Sequence, residues 1–133
     1  MDFPPEMGDY FNDIGVEAVR LVGNEDAKIL FYAEVVDGVE HMIFRYAKPG
    51  ESKFHCREDI DTVADAMRDA WEYSRSLGPK YTWHGIIYRV EDRKMAVDLL
   101  YEGDVDFDES MFDKEDRILE KYYPGMEVEE SPC

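Results

Sequence analysis

The run Ala27-Lys-Ile-Leu-Phe-Tyr-Ala-Glu-Val-Val36, then Asp37-Gly38, then Val39 to Lys48, constrains this chain more than any other stretch. Residues rich in β-branched and aromatic side chains prefer the pleated backbone. Asp-Gly between two such runs is the strongest short-range hairpin signal, because glycine supplies the positive φ that a two-residue turn needs. A second hairpin is expected from Tyr81 to Glu91 and Lys94 to Glu102 around Asp92-Arg93. Its second arm alternates. Met95, Val97, Leu99 and Tyr101 face one way; Lys94, Ala96, Asp98, Leu100 and Glu102 face the other. This is the pattern of a half-buried antiparallel strand.

Helical spacing fills the intervals. Tyr10, Phe11, Ile14, Ala18, Leu21 and Val22 recur at i, i+3/i+4 between Asp9 and Val22, and Gly23-Asn24 stops that helix. Asp59 to Leu77 places Val63, Met67, Ala70, Trp71 and Leu77 on one face, with Asp59, Asp61 and Thr62 as alternative caps. Gly78-Pro79 ends it. Ser110 to Tyr123 reads as a last helix, with Ser110 and Asp113 at capping spacing and Met111, Ile118, Leu119 and Tyr122 turned inward. Pro49-Gly50-Glu51-Ser52 is a turn, and Phe54-His55-Cys56 is a candidate short edge strand. The expected fold is therefore α+β, in the order α-β-β-α-β-β-α. A four-stranded antiparallel sheet made from the two hairpins has its apolar face covered by three helices. The 133 residues make one domain, with an irregular lead-in at 1–7 and a mobile acidic tail at 124–133.

Charge narrows the function. The net charge is −17. From Asp104 to Glu120 there are eight carboxylates, opposed only by Lys114 and Arg117. Such a surface lacks the basic stripe that replaces counterions on nucleic acid, so nucleic-acid binding is not expected. It attracts a basic protein and speeds encounter by long-range steering. Solubility alone is the plainer role for the same charges. Asp104, Asp106, Phe107, Asp108 and Glu109, followed by Asp113 and Asp116 on the helix, form the expected contact set. Phe107, between Asp106 and Asp108, is the expected exposed aromatic anchor, while Phe112 and Tyr122 suit the core. Trp71 and Trp83 are expected in the core.

Other chemistry is thinly represented. Asp104, Asp106 and Asp108 are spaced like the start of a calcium loop, and Glu115 falls at its twelfth position. Glu109, however, stands where the loop needs glycine. His41, His55 and His84 fall on three different strands. His55-Cys56 neighbours point to opposite faces, so neither a metal centre nor a nucleophile–base pair is expected. No phosphate loop, dinucleotide fingerprint or nucleophile elbow is present. The expectation is a binding protein and not an enzyme, without cofactor or metal. Cys56 and Cys133 are expected as free thiols in a reducing compartment. No apolar run reaches the roughly 20 residues of a membrane span, and the start lacks a signal-peptide pattern, so the expected location is the cytoplasm, with no membrane partner.

The stretch from Trp83 through Asp98 and Tyr101 to Glu102, followed by a helix carrying Arg117 and Tyr122-Tyr123, resembles the YezG-like family of bacterial immunity proteins. The element order agrees over roughly residues 9–124. Glu120 stands where that family often has tryptophan. The resemblance implies an antitoxin that binds the toxic C-terminal domain of a secreted polymorphic toxin, often a nuclease, and blocks it by stoichiometric occlusion. The alternatives are an acidic protein-interaction module, or a calcium-binding domain, unrelated to toxin immunity.

Overall fold

The computed structural model describes residues 3–36, 39–106 and 108–129. Its elements run α1 (Glu6–Val22), β1 (Lys28–Val36), β2 (Val39–Ala47), β3 (Lys53–Cys56), α2 (Asp61–Ser76), a 3-10 turn (Pro79–Tyr81), β4 (Gly85–Glu91), β5 (Lys94–Leu100), α3 (Met111–Tyr122) and β6 (Glu127–Val128). The strands form one six-stranded sheet in the order β5-β4-β1-β2-β3-β6. All pairings are antiparallel except β3 with β6, which is parallel.

Both hairpins lie where the turn chemistry puts them. Val36 pairs with Val39 and Glu91 with Lys94, which leaves two-residue loops. Asp92 and Arg93 have φ of 53° and 62°, the left-handed pair that matches strand twist. The Asp37-Gly38 turn itself lies outside the described residues. The sheet is larger than the two hairpins alone. β3 adds to β2 through Arg45–Cys56 and Tyr46–His55, and β6 adds beyond it through Lys53–Glu127 and Phe54–Val128. The stretch expected as a tail from residue 124 thus supplies a strand. Residues 130–133 lie outside the described residues.

The helices do not share one face. Ile29, Phe31, Ala33 and Val35 of β1 point into a core built with α1 and α2, where Ile14, Met67 and Trp83 are fully buried. Leu30 and Tyr32 point the opposite way, into a second and smaller core with Phe54, Ile118 and Tyr123 of the α3 side. Strand β1 is buried along nearly its whole length because both of its faces are covered. The fold is thus three layers, with two helices, the sheet and one helix. The sequence reading of a single covered face is corrected by the position of α3.

Two local details fix α1. It begins at Glu6 within the expected irregular lead-in, and Met7 is buried. At Gly15 an added Cβ would sit 2.5 Å from the Tyr88 hydroxyl, which donates to the Phe11 carbonyl at 2.6 Å. Glycine is what lets helix and strand approach so closely. Trp71 is half-buried and donates its indole N–H to the Trp83 carbonyl at 2.9 Å. Cys56 is disulfide-bonded, and no free cysteine occurs among the described residues, which corrects the free-thiol expectation for Cys56; Cys133 lies outside the described residues. β6 runs alongside β3, and the Glu129 carboxylate accepts from the Cys56 amide at 3.2 Å.

Candidate protein-binding surface

The acidic block is built between the end of β5 and the first turns of α3. Immediately after β5 the chain closes a turn, with the Asp104 amide donating to the Tyr101 carbonyl at 2.9 Å. The Asp104 carboxylate accepts from the Tyr101 amide at 2.9 Å, and Gly103 takes φ 93°. The Asp106 carboxylate accepts from the Asp108 amide at 2.9 Å. The Ser110 hydroxyl then accepts from the Asp113 amide at 3.2 Å and caps α3. Glu109 forms a two-pronged pair with Arg117 and ties the loop to the helix. That guanidinium holds the Glu109 carboxyl below its ordinary value. The positive end of α3 further favours acids at its first turn.

Part of the block is therefore structural. Asp104 and Asp106 hold turns, and Glu109 is paired. Asp104 and Asp106 remain exposed while doing so, and Asp108, Asp113 and Asp116 are exposed with no partner for their carboxylates among the described residues. Phe107 lies outside the described residues. The exposed aromatic among the described residues of this block is Phe112, 75% exposed and one residue from Asp113, although the sequence reading had it suited to the core.

Phe112 faces outward because of its neighbours Lys114 and Glu115, which face inward and are buried. The Lys114 Nζ donates to the Glu34 carboxylate of β1 at 2.6 Å, and the Tyr32 hydroxyl donates to the same carboxylate. Burial, with that carboxylate beside it, pushes the Tyr32 phenol above its ordinary range. Glu115 receives Arg45 of β2 through two bonds, at 2.7 and 3.1 Å, and Arg45 also donates to the Glu129 carbonyl at 3.2 Å. Two adjacent helix residues thus reach two different strands and set the rotation of α3 about its axis. With 114 and 115 held down, 112, 113 and 116 point to solvent.

Below the loop lies a cavity of about 270 Å³, lined in part by Tyr32, Leu100, Val105, Lys114 and Tyr122. The Tyr122 hydroxyl donates to Asp98 at 2.7 Å, and the Arg89 guanidinium lies 4.0 Å from the Tyr122 ring centre. A larger cleft of about 440 Å³ runs between α2 and α3 along β2, with Met111 and Phe112 on one wall.

The metal reading meets a direct obstacle here. Glu115, at the twelfth loop position, is buried and held by both its oxygens to Arg45. Among the described residues no three histidine, cysteine or acidic side chains converge where an ion could sit. His55 bonds Glu51 at 2.8 Å, and His84 precedes β4 instead of lying within a strand. No helix among the described residues is long and apolar enough to cross a membrane.

The Arg45–Glu115 and Lys114–Glu34 pairs escaped the sequence reading, because partners 70 and 80 residues apart leave no local signal. Phe112 had one. Inward positions 111, 118 and 122 define a stripe that 112 leaves by a quarter turn. Compared with known proteins, the chain matches no family model and no curated protein.

Proposed function

We propose that this chain is a stoichiometric binding protein for a basic protein domain, and specifically an immunity protein that neutralises the toxic domain of a bacterial polymorphic toxin. One observation carries the reading: Phe112 is a large aromatic left in solvent, on a helix face that it shares with exposed Asp113, Asp116 and Glu120, with Arg117, which is paired to Glu109, and with Lys121. An aromatic anchor inside a charged rim is the composition of a protein-binding hot spot. Burying one such ring contributes about 1.5–3 kcal/mol, which offsets part of the cost of desolvating the acids around it. A nuclease domain carries a basic cleft for phosphates, and a surface of exposed carboxylates occludes such a cleft without chemistry or turnover. The resemblance of residues 83–102 to YezG-like immunity proteins supports the more specific half of the proposal.

The test is co-expression with the toxin domain encoded beside this gene. Survival, with co-purification of a one-to-one complex that dissociates at high salt, is the expected result. Growth arrest with both proteins folded and no complex formed removes the immunity reading for that pair.

A further inference from the structure

Among the described residues, part of the sheet's β2 edge is left without a paired strand. β3 pairs with β2 only at Arg45 and Tyr46, and the Arg57 amide donates to the Phe44 carbonyl at 3.2 Å. No strand among the described residues pairs with β2 on that side from Val39 to Ile43. In an antiparallel ladder the N–H and C=O of one residue point the same way and alternate along the strand. Phe44 points outward, so Met42 and Glu40 do too. They present two amide groups and two carbonyls along the edge of β2, those of Met42 within the cleft between α2 and α3. Met42 and Ala64 make one side of this cleft apolar, and Met111 with Phe112 the other.

Each cation lining the cleft already has its counter-charge. Arg45 holds Glu115, Arg57 holds Asp59, and Arg68 holds Glu40 and Asp65. Of the lining carboxylates, Glu115 is taken by Arg45, which leaves Glu58 and Asp61 at the α2 end; Asp113 and Asp116 are exposed on α3 outside the lining. A second copy of this chain, itself carrying −17, would set like charge against like charge along the added strand. The terminal strand β5 starts at Lys94, and the arginines beside it are paired as well, Arg20 with Glu17 and Arg93 with Glu25 and Asp26.

We propose that the free edge of β2 takes up an extended, alternating apolar and basic segment of the protein partner as an added strand. Its main chain pairs with Glu40 and Met42, and its side chains enter the cleft beside Phe112. This rests on the proposed function for the identity of the partner, and it names the form in which that partner is held. Main-chain pairing supplies affinity, while alternate side chains and the rim acids supply selectivity.

A short peptide alternating lysine and valine is the probe, with a proline-interrupted peptide of the same length as control. Amide hydrogen exchange is read residue by residue on the intact chain. The alternating peptide is expected to slow exchange at Glu40 and Met42 by about tenfold or more, and the control to leave it unchanged. Met42→Pro or Glu40→Pro removes one outward N–H that no strand among the described residues pairs with, a change edge strands tolerate. Either is expected to abolish binding, whereas Met42→Ala retains it. Protection at β5, perturbation confined to Asp108–Asp116, no protection, or concentration-dependent protection without peptide would each overturn the inference. Neutralisation of the toxin by Met42→Pro as effective as wild type overturns it too, while leaving immunity intact. Protection by the peptide without any rescue leaves the edge site and removes immunity.

Discussion

Lys114 and Glu115 decide more than their type suggests. Read in sequence they are two more charges in an acidic helix; folded, they are the inward stripe of α3. Removing one member of a buried pair leaves the other charged and unsolvated. Lys114→Met is therefore expected to cost about 3–5 kcal/mol by urea denaturation, and Glu34→Gln together with Lys114→Met to recover much of that loss. The single change proving neutral would mean that water reaches Glu34. Phe112 is the opposite case, since it supports nothing within the fold. Phe112→Ala is expected to leave stability within about 0.5 kcal/mol of wild type. By the anchor role it should weaken partner binding about tenfold or more, as titration calorimetry would report. The alternation of β5 put Met95, Val97, Leu99 and Tyr101 on one face; the last three pack against the α1–α2 core, while Met95 is exposed. The outward turn of Phe112 follows from contacts to β1 and β2 that no local pattern encodes.

Elements with local causes were readable, and elements with distant causes were not. The two hairpins follow from turn residues and strand composition within about 20 residues. Each helix followed from its apolar period, although α1 starts three residues before the expected Asp9. β6 is a different kind of element. Its two residues carry no strand signal. They pair because the turn after α3 delivers them to β3, where the Glu127 amide donates to Ser52 at 3.1 Å and the Glu129 amide to Phe54 at 2.7 Å. Arg45 holds the same segment through the Glu129 carbonyl. A chain ending at Met126 loses these bonds, each with a net contribution of about 1 kcal/mol. Compared with the full chain, both reduced, it is expected to unfold at lower urea by an amount equivalent to about 2–3 kcal/mol. Equal midpoints would mean that β6 adds nothing to the docking of α3.

At the scale of the molecule, two layers of packing bury tyrosines on both sides of the sheet. Burial pushes the Tyr88 and Tyr123 phenols up to about 12 from 10.0. The folded state holds these protons more tightly than the unfolded chain, so their contribution is fully present below pH 10 and is lost as pH rises toward 12. Thermal melts across that range, with tyrosinate absorbance followed in parallel, should show stability falling as the last phenols ionise. Ordinary titration of all nine tyrosines near 10 would contradict the burial. Net charge was the most legible global property, but it does not show which acids of the block also hold the fold. Asp104, Asp106, Glu109 and Glu115 are committed to turns and pairs, and only folding separates them from Asp108, Asp113 and Asp116.

That division selects the decisive measurement, the association rate of this chain with the basic toxin domain proposed as its partner, as a function of salt. Asp108→Lys with Asp116→Lys alters steering without touching a turn or a pair. The account predicts a folded variant whose association is slower by about tenfold or more at low salt, with a flatter salt dependence than wild type. The same rate and the same salt slope in variant and wild type would contradict the claim that this face meets the partner.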